Sequence, residues 1–177
     1  MPRRLFLAAM SSKAIQDKVY EWRKNLDIPV KWVPLENLHI TLLPPWQETN
    51  VKDAKERLHR IDLEKDPIKI EFIKLSYNPG KQAKLIWAEG KTPKALQNLQ
   101  SRIRRIFKDK IDETLLHKEF LLHLTVARFN TFDFSKLPPI NERISWEETI
   151  DRVALVESIL DPNGARYRVL DEVFFAE

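Results

Sequence analysis

The chain has 177 residues, enough for one domain or two small lobes around a real core. Its 43% hydrophobic and 32% charged residues are ordinary for a globular protein, and its net charge of +4 permits a polyanionic partner without identifying one. Because cysteine is absent, disulfides, thiolate metal sites and cysteine nucleophiles are excluded. With three glycines and no glycine-rich phosphate motif, a nucleotide loop of that kind is not expected.

A short apolar run from Leu5 to Ala9 opens the chain. The run is too short for a secretory h-region or a membrane span, so we interpret it as the first strand of a cytoplasmic protein. A helix is predicted next, with a serine of the Ser11-Ser12 pair as its N-cap. Its apolar stripe consists of Ile15, Val19, Trp22 and Leu26.

Residues 30–33 are strand-like, residues 34–37 read as a turn, and a strand that begins near Leu38 follows. We expect this strand to end at Pro44-Pro45, because proline has no N–H group for a sheet ladder. A second helix is predicted from the spacing of Val51, Ala54, Leu58 and Ile61. His59 lies beside that stripe and is assigned no chemistry.

Residues 67–89 are predicted to form a β-hairpin that turns at Asn78-Pro79-Gly80. The apolar alternation slips by one residue near Phe72, which predicts a β-bulge there. Thr92-Pro93 then opens a third helix, with Thr92 as its cap and Pro93 at its first position. The polar face of that helix carries Arg102, Arg104, Arg105, Lys108 and Lys110. We interpret this face as solvated, with a contact to a phosphate backbone as the alternative.

A polar connection over residues 112–118 leads to a strand from Phe120 to about Phe129. The remainder is rich in strands, at residues 144–150, 154–160 and 167–175, with a turn at Asp161–Gly164. The order of elements predicts an α+β fold with largely antiparallel sheets.

One five-residue pattern occurs twice, as Leu38-His-Ile-Thr-Leu42 and as Leu122-His-Leu-Thr-Val126. On a strand, the histidine and threonine of each copy share one face while the apolar residues share the other. Two such strands facing each other would bring two imidazoles and two hydroxyls to a common point. The alternative is a pair of amphipathic strands whose outward faces carry the same residues by coincidence.

Two imidazoles suit acid–base chemistry on a phosphodiester, because each can gain or lose a proton near neutral pH. We expect His123 to act as the general base and His39 as the general acid, and the reverse assignment stays open. Thr41 and Thr125 would donate hydrogen bonds to the non-bridging phosphate oxygens. Their alternative role is that of ordinary strand-forming residues.

At these residues the chain resembles the 2H phosphoesterase superfamily, which is named for two His-x-[Thr/Ser]-x motifs. Within it, the chain is most similar to the RNA 2′,3′-cyclic phosphodiesterases, long called 2′-5′ RNA ligases. Residues 37–42 and 122–128 match the two motifs, residues 4–8 resemble the opening strand, and residues 155–170 resemble the closing hairpin. The chain departs from the family at residues 43–46, Leu-Pro-Pro-Trp, where many members have Phe-Leu-Gly.

The resemblance implies a single domain over residues 1–177 with two pseudo-symmetric lobes. Antiparallel sheets with helices packed outside would enclose a central cleft that carries both motifs. The implied activity is metal-independent hydrolysis of 2′,3′-cyclic phosphates at RNA ends to a phosphomonoester, usually the 2′-phosphate. The resemblance also offers Arg128 as a phosphate-binding cation. Strict alternation places Arg128 opposite His123, so it reaches the site only if the strand bends or ends near Ala127.

Three aromatic residues could stack on a base, namely Phe6, Trp46 and Tyr167. We favour core packing for Phe6 and Tyr167. Trp46 follows the proline pair and is the one that we expect at the rim of the cleft.

Three other readings remain open. Two histidines could bind zinc, but a third ligand at a recognised spacing is missing, and His117 is interpreted as a surface residue. A non-catalytic RNA-binding module could use the same cleft, and so could 2′-5′ end joining. We expect no metal, no cofactor and no membrane partner, and a monomer that acts on RNA or an oligonucleotide with a 2′,3′-cyclic phosphate end.

Overall fold

The computed structural model describes residues 1–78 and 83–176, apart from the side chains of residues 131–133. The strands are β1 (Arg3–Met10), β2 (Lys31–Trp32), β3 (His39–Glu48), β4 (Ile68–Asn78), β5 (Leu85–Glu89), β6 (His123–Arg128), β7 (Asn141–Ile150), β8 (Arg152–Asp161) and β9 (Gly164–Phe174). The helices are α1 (Lys13–Arg23), α2 (Val51–Leu58), α3 (Lys94–Ile106) and α4 (Glu113–Leu116). Residues 79 and 80 of the predicted Asn78-Pro79-Gly80 turn lie outside the described residues.

The strands form two antiparallel sheets, with the orders β3-β1-β8-β9 and β2-β6-β5-β4-β7. The two sheets repeat one arrangement. We call β3 and β6 the histidine strands, because they begin at His39 and His123. Each pairs with an inner strand of its sheet, β3 with β1 and β6 with β5, and in the chain a helix, α1 or α3, lies between the two paired strands. β8 and β9 complete the first sheet, and β4, β7 and the two-residue β2 complete the second. The expected pseudo-symmetric, two-lobed α+β fold is confirmed.

The apolar faces of both histidine strands lie in one continuous core. Helix α3 packs on the apolar face of β3, where Gln100 Nε2 donates to the Leu42 carbonyl at 3.4 Å. The predicted cap of α1 is confirmed, because Ser12 Oγ accepts from Ile15 N at 3.3 Å. Across the described part of the chain, no helix combines the length and the apolar character that a membrane crossing requires.

Strand β3 does not end at Pro44-Pro45, contrary to expectation, and runs on to Glu48. It is an edge strand, so its outer side needs no partner. The two prolines fall where the register with β1 is irregular, between the Leu5–Trp46 and Leu7–Leu43 pairs. In β4, by contrast, the predicted bulge is confirmed, since the register with β7 shifts between Phe72 and Lys74.

Helix α3 begins one residue later than predicted, with Pro93 as its N-cap. The Thr92 hydroxyl instead donates to the Phe120 carbonyl at 3.2 Å and accepts from Leu122 N at 3.0 Å. It thereby ties the start of α3 to the segment that enters the second histidine strand.

Three of the five cations of α3 and its C-terminal extension make contacts within the fold. Arg102 pairs with Glu64, Arg104 donates to the carbonyls of Leu116 and Lys118, and Lys110 pairs with the buried carboxylate of Glu48. None of them lines the cavity between the two histidine strands. Arg105 and Lys108 are exposed, as the solvated interpretation expects, and a contact of this face with a phosphate backbone stays a prediction.

Candidate active site

Each histidine ring is held by the carbonyl two residues before it. His39 Nδ1 lies 2.7 Å from the Asn37 oxygen, and His123 Nδ1 lies 3.0 Å from the Leu121 oxygen. Because a carbonyl only accepts, Nδ1 carries the hydrogen in both rings. In each ring Nε2 is therefore the nitrogen that can exchange a proton with a substrate, and the carbonyl contact of Nδ1 is the same in both halves of the molecule.

Both histidine strands bulge three residues after the histidine. In β3, Thr41 pairs with Ala8 and Leu43 with Leu7, which leaves Leu42 as the extra residue. In β6, the pairs are Thr125 with Trp87 and Ala127 with Ile86, which leaves Val126 as the extra residue. Two consecutive buried residues therefore follow each threonine, Leu42-Leu43 in one strand and Val126-Ala127 in the other.

The bulge at Val126 changes the phase of β6, so Arg128 joins His123 and Thr125 on one face. The condition set by the sequence, a bend near Ala127, is thus met. At the corresponding position of β3 lies Pro44, so only one half of the molecule supplies a cation here.

The two motifs meet at one cavity of about 270 Å³ between the sheets. Both histidines, both threonines and Arg128 line it. An adjoining groove of about 410 Å³ shares His39, Thr41 and Arg128 with this cavity. The described lining of the two spaces includes Lys31, Arg4 and Arg128 but no carboxylate. We call the two spaces together the cleft.

A sequence model of the 2′-5′ RNA ligase superfamily matches residues 11–161 of this chain, which is most of its length. The chain belongs to this superfamily.

Relatives of similar length carry informative names. A protein of Aquifex aeolicus named RNA 2′,3′-cyclic phosphodiesterase is 26% identical, over 97% of this chain and 96% of its own. A protein of the same name from Archaeoglobus fulgidus is 28% identical, over 94% and 97%. Among solved structures, TT0787 of Thermus thermophilus has a TM-score of 0.80 at 23% identity and covers 97% of both chains. Escherichia coli LigT complexed with NADP+ has a TM-score of 0.77 at 18% identity and covers 100% of both chains.

Aromatic rings support both histidines of this superfamily member. The Trp87 ring stacks on His123, with centroids 4.0 Å apart and an interplanar angle of 22°. The His39 ring contacts Phe6 and Tyr167, at centroid distances of 5.0 and 5.4 Å. Phe6 is buried as expected, and it also lines the groove. Tyr167 is half-buried, packs against the cluster that contains Phe6, and lines both spaces of the cleft.

Trp46 does not lie at the rim of the cleft, and that expectation is wrong. Its side chain is 7% exposed and packs against Phe107, with ring centroids 5.5 Å apart. Its Nε1 donates to Glu48 at 2.9 Å. Trp46 lies seven residues after His39, so plain alternation already gives it the core face. The irregularities at Leu42 and at Pro44-Pro45 offset each other, and because β3 continues past the prolines, Trp46 pairs with Leu5 in the core.

Burial lowers the pKa of both histidines, because desolvation disfavours the charged imidazolium. The hydrogen-bonded carbonyls oppose this effect in both rings. Neighbouring charges act differently on the pKa values of the two histidines. The cations of Arg128 and His123 lower the pKa of His39 further, whereas the Glu89 carboxylate raises that of His123 and Lys118 lowers it.

The loop that enters β3 and the β8–β9 turn close one end of the cleft. Asn37 Nδ2 donates to the Ala165 carbonyl at 3.0 Å. Gly164 has a φ of +123°, and a Cβ there would lie 3.1 Å from Lys31 Nζ, so glycine suits this position on both counts. Lys31 belongs to the other sheet, and its ammonium thus reaches across the cleft.

No metal centre is apparent in the described residues, where no group of three or more His, Asp or Glu side chains is arranged to hold an ion. His117 is exposed, and His59 Nε2 lies 2.9 Å from Asp171. Neither lines the cleft.

Sequence reasoning missed Arg4 and Lys31 in the cleft, and Trp87 and Glu89 beside His123. It named Tyr167 as a stacking candidate but favoured the core for it. For Tyr167 a signal was available, since it pairs with Ser158 across the predicted closing hairpin, and both line the groove. Glu89 and Trp87 face the second motif through the β5–β6 register, which no local pattern reveals.

Proposed function

We propose that this protein hydrolyses the 2′,3′-cyclic phosphate at the end of an RNA to a phosphomonoester. The observation that carries the proposal is the convergence of both His-x-Thr pairs and Arg128 on one cavity whose described lining has no carboxylate. Such a cavity attracts an anion and supplies two groups that can exchange protons. The names of the two relatives support the same reaction class.

The reaction needs two proton transfers. His123 Nε2 takes a proton from water as the water oxygen bonds to phosphorus. The bond from phosphorus to O3′ breaks, and His39 Nε2 gives its proton to O3′, so the product carries a 2′-phosphate. Exchange with solvent then restores the protonation of both rings. Thr41, Thr125 and Arg128 bind the non-bridging oxygens, where negative charge increases in the transition state.

The surroundings of the rings suit these roles. The Glu89 carboxylate, which raises the pKa of His123, makes that ring a stronger base. Arg128, which lowers the pKa of His39, makes its imidazolium a stronger acid, and the anionic phosphate offsets the desolvation of that cation on binding. Thr41 Oγ1 lies 3.0 Å from His39 Nε2, so it helps to orient the Nε2 hydrogen of a protonated His39 until O3′ takes it, and the hydroxyl hydrogen of Thr41 is left for the phosphate.

The test is hydrolysis of an oligonucleotide that ends in a 2′,3′-cyclic phosphate, in EDTA, with the product phosphate located by NMR. We expect turnover to a 2′-phosphate that survives EDTA. His39→Ala and His123→Ala should each abolish turnover while RNA affinity is largely retained. His117→Ala is the matched control, because His117 is exposed and outside the cleft.

Three results would contradict the proposal. Loss of activity in EDTA would show that a metal ion is required. Full activity of either active-site variant would remove the acid–base mechanism. RNA binding without turnover by the unmodified protein would support the non-catalytic module instead.

A further inference from the structure

Two neighbouring arginines at the start of β1 have different surroundings. Arg3 Nε and Nη2 each donate to a Glu157 carboxylate oxygen at 2.7 Å, on the face of the sheet away from the cleft. Arg4 lies on the cleft face and lines the groove. Within the described part of the chain, no hydrogen bond or ion pair engages the Arg4 side chain. The guanidinium of Arg4 is therefore available to a ligand in the groove.

Arg4, Phe6 and Ala8 alternate along β1 and thus share the face that carries the active site. Ala8 pairs with Thr41, whose hydroxyl is part of the phosphate site. Ala8 lies four residue steps along the strand from Arg4, which is about 13 Å at ~3.3 Å per step. An arginine side chain shortens that distance, but it does not bring Arg4 onto the cyclic phosphate itself.

The groove between these two points has the chemistry of an RNA backbone site. Its described lining combines Arg4 and Arg128 with the hydroxyl-bearing residues Ser158 and Tyr167, and it includes no acidic side chain. Arginine presents a planar fork of N–H donors that matches two oxygens of a phosphate. A cation one nucleotide step from the reacting phosphorus is placed for the next phosphate of the same strand.

We propose that Arg4 binds the phosphate on the 5′ side of the terminal nucleotide, so that the enzyme selects RNA chain ends over free cyclic mononucleosides. This inference rests on the proposed function and adds its substrate class. Arg4 is thereby a specificity-determining residue and takes no part in proton transfer.

The experiment compares three substrates, namely uridine 2′,3′-cyclic phosphate, its 5′-phosphorylated form and the dinucleotide UpU with a 2′,3′-cyclic phosphate end. We expect the unmodified enzyme to have a higher kcat/KM on the two substrates with an upstream phosphate. Arg4→Gln should lower kcat/KM on these two by at least ~10-fold more than on the first, as loss of a charge-assisted hydrogen bond implies. Arg4→Lys, which keeps the charge, should retain part of the preference.

A methylphosphonate linkage in the dinucleotide supplies the second arm of the experiment, because it removes the upstream charge. It should lower kcat/KM for the unmodified enzyme and leave kcat/KM of Arg4→Gln nearly unchanged. Arg105→Gln is the matched control, since Arg105 is exposed on α3, lies outside the cleft and carries the same charge.

The inference is overturned if Arg4→Gln changes kcat/KM by the same factor on all three substrates, or on none. An Arg105→Gln variant that behaves like Arg4→Gln would overturn it as well, by showing a general effect of net charge. Failure of the proposed function has a different signature, because the unmodified enzyme would then hydrolyse none of the three substrates.

Discussion

The two threonines make different contacts in the cleft, and this difference predicts unequal effects of removing their hydroxyls. Thr41 Oγ1 lies 3.0 Å from His39 Nε2. The Thr125 hydroxyl has no partner among the residues that the structure describes, so it is free for substrate. We expect Thr125→Val to lose one contact, to the phosphate. Thr41→Val should lose that contact and the partner of the histidine.

The magnitudes follow from the groups involved. A hydrogen bond to a charged group contributes about 1.5–3 kcal/mol, so Thr125→Val should lower kcat/KM about 10- to 150-fold. The additional hydrogen bond of Thr41 joins the protonated His39 and falls in the same range; its lower end, about 1.5 kcal/mol, makes Thr41→Val about 10-fold worse again. Valine has nearly the shape of threonine and favours strands, so both variants should fold.

The assay is kcat/KM on uridine 2′,3′-cyclic phosphate, with urea unfolding to verify that each variant retains its stability. Thr149→Val is the matched control, because Thr149 lies on β7 and outside the cleft. If Thr125→Val lowers kcat/KM by less than about 3-fold while stability is unchanged, the hydroxyl does not bind the reacting phosphate. An effect of Thr149→Val of the same size would show that the losses are not specific to the cleft.

Three further results are expected. Glu89→Gln should lower the pKa of His123, measured by NMR titration of the ring protons, because the carboxylate stabilises the imidazolium; an unchanged or raised pKa would contradict this. Trp46→Ala should destabilise the fold by about 3–5 kcal/mol in urea unfolding and leave kcat/KM of the folded fraction near that of the unmodified enzyme. A selective loss of RNA affinity would show instead that Trp46 contacts RNA at the rim of the cleft. Because burial lowers the pKa of His39 and His123, the unfolded chain takes up protons first as the pH falls below about 6.5, and the free energy of unfolding should fall there. The double variant with glutamine at both positions should lose this dependence.

Much of the candidate site could be predicted from the alternation of side chains along a strand. The placement of His39 with Thr41, and of His123 with Thr125, on one face follows from the alternation of any strand. Their carbonyl partners lie two residues earlier in both copies, so the local geometry also repeats with the motif. That the two faces meet at one cavity depends on how the sheets pack, which a strand pattern alone does not determine.

A bulge shifts the alternation of a strand, so the face on which later residues lie cannot be predicted from the motif alone. In β6 the neighbours Val126 and Ala127 are both buried, and this pair of apolar residues is the local trace of the bulge that brings Arg128 into the cleft. In β3 the irregularities at Leu42 and at Pro44-Pro45 offset each other, so Trp46 lies on the core face that alternation from His39 gives. Counting residues in steps of two therefore misplaces Arg128, whereas the error at Trp46 came from expecting β3 to end at the prolines.

Residues that reach the cleft from distant strands could not be assigned from local patterns. Tyr167 faces His39 because β9 pairs with β8 in a particular register, and Lys31 reaches the cleft from a strand of only two residues. The contrast between Arg3 and Arg4 likewise depends on Glu157, which lies far along the chain on β8. These contacts are properties of the assembled sheets.

The central claim is that one phosphorus centre lies between both imidazoles. Its most direct test is an NMR titration of the unmodified protein with uridine 2′-phosphate, the product of the proposed reaction, while the Cε1–H signals of His39 and His123 are followed. Both signals should move along one binding curve with a single Kd, and both pKa values should rise in the complex. If only one ring responds, or if the two rings report different Kd values, the histidines do not share a phosphate site.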